Sequence, residues 1–226
     1  MKFLSYNISW SKQSKIDWLF TNKDIDAFIV PECGNSHNVA VPNDYQFYWV
    51  GNYDIKGLGV CVSKKHKQVI PSWNNKKLSY AIPIIIDDDY LLLAVWPTKI
   101  KGVTSDSYID IFLEILEYYK EYISQFKTVI IGDCNIISSS KRTGKDNPYP
   151  IFDWMKEQGL KSAHHAFLNE TYGKESLPTY FHQFKETCKF FIDYAFTNTD
   201  IVNYKLYTWD ETNRMSDHVP IAIELK

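Results

Sequence analysis

Short apolar runs of strand length recur through the chain and limit what it can fold into. MKFLSYNI opens the sequence, and IDAFIVPEC, LGVCVS, YAIPIII, YLLLAVW, TVIIGDCNI, KFFIDYAF and VPIAIEL follow. Each is long enough for a strand and too short to span a membrane. Helical patterns separate some of them. Ile16, Leu19 and Phe20 have helical spacing, and Ile109, Phe112, Leu113, Leu116 and Ile123 make one core-facing stripe over residues 108–126. A third helix runs from Ile151 and stops at Gly159.

YAIPIIIDDDYLLLAVW reads as a hairpin turning at Asp87, Asp88 and Asp89. Three adjacent acids there make a solvated turn and not a metal site, because successive side chains diverge. Residues 35–57 are aromatic and polar without a clear period, so they read as mostly loop. TYFHQF adds a strand near the end. The expectation is about nine strands and three helices in one domain over residues 1–226, without repeat or linker.

Composition narrows the possibilities. With 226 residues, 45% hydrophobic and 16% aromatic, the chain can bury a sizeable core, which excludes a disordered protein. A net charge of −2 excludes a global cationic field, so a polyanion would have to be gripped by a local patch. Cys33, Cys61, Cys134 and Cys188 lack CxxC spacing and read mainly as small buried thiols. The first residues offer no apolar stretch long enough for a signal or a span. A reduced, cytoplasmic setting without membrane contact is therefore expected.

The chemistry-bearing residues fall at the ends of the apolar runs. In VIIGDCNI, alternate side chains of an extended chain share a face, so Asp133 and Asn135 would project together with Cys134 turned away. The first run reaches Asn7 and the second Glu32. FFIDYAF buries Asp193 among aromatics, where a carboxylate needs a partner. RMSDHVPIAIEL puts Asp217 and His218 just before a strand.

Singly, each is a polar strand end or a structural histidine. Together they form a set suited to phosphate chemistry. Mg²⁺ takes oxygen ligands and only one or two protein carboxylates, which suits Glu32 with the Asn7 amide beside it. Asp133 can orient a water and accept its proton. Asn135 can donate to an oxygen that gains charge on phosphorus. Asp193 can hold His218 in one tautomer and raise its pKa. His164, His165 and His182 read as a helix end and a strand face, outside this set.

In order, SYNIS, VPEC, KGLGVCVS, GDCN, FIDYAF and SDHVPIAI resemble the endonuclease/exonuclease/phosphatase superfamily, which includes exonuclease III-like and DNase I-like enzymes. The resemblance runs from about Lys2 to Leu225. It implies an α/β (α+β) four-layer sandwich, two mixed β-sheets packed face to face and flanked by helices, with the site at one rim. It also implies water-driven hydrolysis of a phosphate ester with a divalent metal, Mg²⁺ or alternatively Mn²⁺. By the same resemblance Asn7 and Glu32 are metal-site residues, and Asp217 is the acid sometimes assigned to a second metal position. Asp133 activates water, Asn135 contacts phosphate, and Asp193 and His218 are the carboxylate–histidine pair.

The sequence departs from that pattern at Pro31, where glutamine is usual, and at Phe191, where arginine is frequent. Trp96 stands where a histidine or tyrosine often meets the phosphate. Indole donates one N–H and exchanges no proton near neutrality. Trp96 is therefore either a stacking platform for a base or a core aromatic, and Lys99 just beyond can supply the missing charge. The loop with Lys141, Arg142 and Lys145 is either a phosphate grip or a solvated turn.

The function expected is a Mg²⁺-dependent phosphodiesterase, most directly a nuclease. The alternative is a phosphatase or phosphodiesterase of a small or lipid phosphoester, which needs no long cationic groove. The presence of only two arginines, Arg142 and Arg214, counts toward that alternative. A binding module on an inactivated fold has no need of six site residues together. No protein partner is implied.

Overall fold

The computed structural model describes residues 1–78, 80–141 and 143–226. In chain order the elements begin with β1 (Lys2–Ser5), α1 (Gln13–Leu19), β2 (Ala27–Cys33), β3 (Tyr45–Tyr53), β4 (Lys56–Ser63) and β5 (Gln68–Val69). Next come β6 (Ala81–Ile86), β7 (Tyr90–Val95), α2 (Tyr108–Ile123), β8 (Lys127–Asp133), α3 (Tyr149–Glu157) and β9 (Lys161–Ser162). The last third holds α4 (Ala163–Leu168), β10 (Tyr180–Phe181), β11 (Lys189–Phe190), β12 (Asp193–Thr197), β13 (Ile201–Leu206) and β14 (Ile221–Leu225).

Twelve of the strands make two mixed six-stranded sheets, in the orders β13-β14-β1-β2-β4-β3 and β5-β6-β7-β8-β12-β9, and β10 pairs with β11 as a separate two-stranded ribbon. Each six-stranded sheet contains one parallel pair, β1/β2 or β7/β8, among antiparallel neighbours. Parallel neighbours need a crossover, and α1 and α2 supply them. Side-chain alternation then sorts the apolar residues into layers. Phe3, Ala27 and Ile29 of one sheet meet Leu92, Ala94, Val129 and Ile131 of the other. On the outer faces, Leu4, Phe28 and Val30 pack on α1, whereas Leu91, Leu93 and Ile130 pack on α2 and α3. The result is helix, sheet, sheet, helix. Among the described residues no helix is long and apolar enough to cross a membrane.

Several expectations shift. Residues 35–57 are not without regular structure, because β3 occupies Tyr45–Tyr53 and β4 begins at Lys56. β3 is an edge strand, half-exposed along much of its length, so no apolar alternation marks it. The opposite edge, β13, is also largely exposed and gave no signal. TYFHQF supplies only the two residues of β10 before a 3₁₀ turn, His182–Phe184. KFFIDYAF divides into β11 and β12. His164 and His165 lie buried in α4, facing Glu170 (2.8 Å) and Glu175 (3.0 Å), a structural cluster behind the second sheet's edge.

Candidate active site

Strand parity brings polar groups to one rim of the inter-sheet space. In β8, Val129 and Ile131 face the opposing sheet and Asp133 ends the same row. β12 runs antiparallel beside it, with Asp193 opposite Asp133 and Ala195 opposite Ile131. A glycine precedes Asp133 because β7 passes too close for any side chain. A Cβ at Gly132 would lie 1.8 Å from the Val95 carbonyl oxygen. In the other sheet, the β1/β2 pairing continues past its assigned end, with Tyr6 N–H on Ile29 O and Ile8 N–H on Pro31 O. Asn7 therefore continues the inward row of Phe3.

These rows meet. Asn7 Nδ2 donates to Asp133 Oδ2 at 2.9 Å. His218, just before β14, donates from Nδ1 to Asp193 Oδ2 at 2.9 Å, and its Nε2 stands 4.0 Å from Asp133 Oδ2. All four side chains are buried. Two hydroxyls without a role in the sequence reading hold this frame. Ser216 Oγ donates to Asn7 O at 2.7 Å and accepts from His218 N–H at 3.2 Å. Thr179 Oγ1 accepts from the N–H groups of Ile192 (2.9 Å) and Asp193 (3.0 Å), where β11 and β12 part. Ser216 was legible inside the SDH motif, whereas Thr179 acts only through distant backbone.

Glu32 reaches the rim by a different route. Phe28 and Val30 face α1, and unbroken alternation would send Glu32 the same way. A bulge intervenes: Pro31 pairs with Leu58 and Cys33 with Gly57, leaving Glu32 as the extra residue at φ +60°. Such a bulge re-aims its side chain. The Glu32 carboxylate meets Lys56 Nζ at 3.0 Å. The same ammonium lies over the ring of Trp96, in the inter-sheet core.

Asn135 is brought to Asp133 by a turn, not by shared strand parity. Its φ is +53°, its N–H donates to Asp133 Oδ1 at 3.1 Å, and its Nδ2 donates to Pro97 O at 3.0 Å. Asp217 is half-buried, and its charge helps raise the pKa of His218 and of Tyr180. Trp96 is 4% exposed and packs against Tyr80, so it offers no open face to a base, and the core alternative describes it. Lys99 is exposed over the Tyr108 ring. It borders a cavity of about 480 Å³ that Asn135, Tyr108, Tyr180 and Phe190 also line. Lys141 and Lys145 are exposed on a loop that reaches this cavity through Ser140 and Asp146. Ser107, the N-cap of α2, ties the loop down by donating to Lys145 O. Arg142 lies outside the described residues. Another cavity, of about 440 Å³, opens among Lys2, Asn22 and Lys205 and holds none of these groups.

Charge and burial set the proton affinities. Burial pushes Asp133 up, the His218 imidazolium draws it partly back, and the carboxyl comes to about 7. Burial opposes a charged His218, but the Asp193 and Asp133 carboxylates outweigh it and lift the imidazole to about 9. Burial, helped by Asp217, Asp133 and Glu32, holds the Tyr180 phenol up at about 12.

The oxygen donors at this rim are of the type a hard divalent cation takes, although Asn7 Oδ1 already accepts from the Ser9 N–H at 2.9 Å. Glu32, Asp217 and the Asn7 amide offer oxygen, the ligand type that Mg²⁺ and Mn²⁺ prefer. An ammonium already stands against Glu32, so its carboxylate is presented to a positive charge. Asp133, Asp193 and His218 have ligand-type atoms within 4.8 Å of one another, but His218 Nδ1 and Asp193 Oδ2 are hydrogen-bonded to each other.

No family model and no curated protein matches the sequence. Solved structures resemble the chain in fold. An AP endonuclease from Leishmania major superposes with a TM-score of 0.71 at 11% identity, over 98% of this chain and 86% of that one. A 3′ phosphatase from Neisseria, bound to a product DNA hairpin, gives 0.69 at 12% identity over 100% and 99%. An endonuclease/exonuclease/phosphatase family protein from Leptotrichia buccalis gives 0.62 at 17% identity over 100% and 99%. Identities this low speak to architecture alone: the chain has the fold of the endonuclease/exonuclease/phosphatase superfamily.

Proposed function

We propose that the chain is a metal-dependent hydrolase of phosphate esters, with nucleic-acid phosphodiesters as its substrate. The observation that carries this reading is the surroundings of Asp133. Its buried carboxylate has an amide on one side and, 4.0 Å away, an imidazole backed by a second carboxylate. A proton affinity near neutrality suits a base that must take a proton from water.

Asp133 would orient the attacking water and receive its proton. His218, charged at neutral pH, keeps Nδ1–H on Asp193 and has Nε2–H to offer. The 4.0 Å to Asp133 is too long for a direct hydrogen bond, so a phosphate oxygen can take that donor. Asn135 spends one amide N–H on Pro97 O and keeps another for the phosphate. Glu32, Asn7 and Asp217 would hold the metal, which supplies Lewis-acid stabilisation of charge on the phosphoryl oxygens. The DNA-related activities of the structural neighbours support a polynucleotide substrate.

One observation favours a second reading, hydrolysis of a small phosphoester. The 480 Å³ cavity beside Asn135 is the size of a small-molecule site. A substrate panel with Mg²⁺ and with Mn²⁺ decides: single- and double-stranded DNA, RNA, and small and lipid phosphoesters. Cleavage of a polynucleotide is expected. Turnover of small esters alone would overturn the nuclease reading, and full turnover in excess chelator would overturn the metal.

A further inference from the structure

The turn after Asn7 is strained, braced by a buried charge, and presents an aromatic ring. Ser9 and Trp10 both have left-handed backbone, with φ of +43° and +73°. That is unfavourable for two successive non-glycine residues, and above all for a bulky one. Lys15 holds them there. From the first turn of α1 its buried ammonium donates to the carbonyls of Ile8 and Ser9. Burying a lysine is costly without such partners. Strain and a buried cation thus converge on one outcome, the placement of Trp10.

Trp10 is 52% exposed. Its ring lies 4.8 Å from Lys56 Nζ, the same ammonium that meets Glu32 at 3.0 Å and lies 5.6 Å from the ring of Trp96. Two indoles therefore share one cation. Trp96 is the covered one, in the inter-sheet core, and Trp10 is the one half open to solvent. An aromatic face beside a cation, next to the acidic rim, matches a ligand that joins a flat π-system to an anionic phosphate.

We propose that Trp10 is a stacking platform for a nucleobase next to the scissile phosphate, with Lys56 placed to neutralise the phosphate of that nucleotide. The inference rests on the nuclease reading and narrows it. A base can lie on an indole only when one of its own faces is free of base stacking, so the preferred substrate is single-stranded, has an unpaired nucleotide at the site, or presents a duplex end there.

The test measures binding without divalent metal, so that nothing is cut. The ligands are a short oligothymidylate and a base-free sugar–phosphate strand of equal length, and the proteins are the wild type, Trp10→Phe and Trp10→Ala. The preference for the base-bearing strand should fall about tenfold in Trp10→Ala and be largely retained in Trp10→Phe. The indole emission that distinguishes wild type from Trp10→Phe should be quenched by oligothymidylate and not by the base-free strand. This second readout needs no alanine variant. A preference that stays unchanged, or falls equally in both variants, overturns the stacking role and leaves the nuclease reading intact. A wild type that binds neither strand, and with metal cuts only small esters, overturns both.

Discussion

Asp133 and His218 pull each other's proton affinities in opposite directions, and Asp193 decides the balance by charging the imidazole. If the proposed roles hold, Asp133→Asn and His218→Ala should each lower turnover by about a hundredfold or more, as loss of a positioned proton acceptor or donor does. Asp193→Asn should resemble His218→Ala, and the double variant should be no worse than the poorer single, because a hydrogen-bonded pair acts as a unit. Multiplicative losses in single-turnover kinetics would mean that the two act separately. Stability carries a matching signature. His218 is raised from 6.5 to about 9, so the fold prefers its protonated form; that contribution is complete below pH 6.5 and is lost as the pH rises through 9. Asp133, raised from 3.8 to about 7, has the same sign, and its contribution fades as the pH rises through 7. Through these two groups the metal-free protein should melt at progressively lower temperature from about pH 4 to about pH 9. His218→Ala should flatten the upper part of that curve.

At the scale of elements, the bulge in β2 separates what the sequence made legible from what it did not. VPEC marked Glu32 as a candidate, yet nothing in those letters announces a left-handed residue, since the position carries no glycine. Glu32→Gly tests whether the strain serves the site. Relief of a left-handed side chain and loss of a partly exposed ion pair are each worth about 1 kcal/mol and oppose one another. The melting temperature should stay within a few degrees of wild type while metal-dependent turnover collapses, and a large drop in melting temperature would make Glu32 structural instead. Asn7, Asp133, Asp193 and His218 were readable because each follows or precedes an apolar run whose pairing dictates its place. Asn135 was placed by alternation, but a turn carries it. β3 and β13 were illegible because an edge strand wetted on both sides imposes no period. Trp96 drew attention by standing in a motif, whereas Trp10, one residue past SYNIS, belonged to none. Its exposure depends on Lys15, which a helical pattern shows only as a polar position.

Over the whole molecule, a net charge of −2 means that any polynucleotide is held by a few local cations. Lys56, Lys99, Lys141, Arg142 and Lys145 are the candidates. With about three phosphate contacts, a plot of log affinity against log salt should have a slope near −3 on duplex DNA and about −2 on a single strand. Neutralising Lys141, Arg142 and Lys145 together should flatten it further, and an unchanged slope would remove that loop from the interface. β1 pairs with β14, and the Met1 ammonium donates to Leu225 O, 224 residues away. Likewise the Ser216 bond to Asn7 O, which ties the two halves of the site, spans 209 residues. On the ribosome, β1 must wait for nearly the whole chain before its antiparallel neighbour exists. Asn7 and His218 can be joined through the Ser216 hydroxyl only then. Nascent chains stopped before β14 should stay protease-sensitive at β1 and hydrolyse nothing, and full-length protein should refold slowly, as distant pairings require. The order of synthesis therefore sets the order of assembly, and the residues of the candidate site can be fixed together only after β14 has been made.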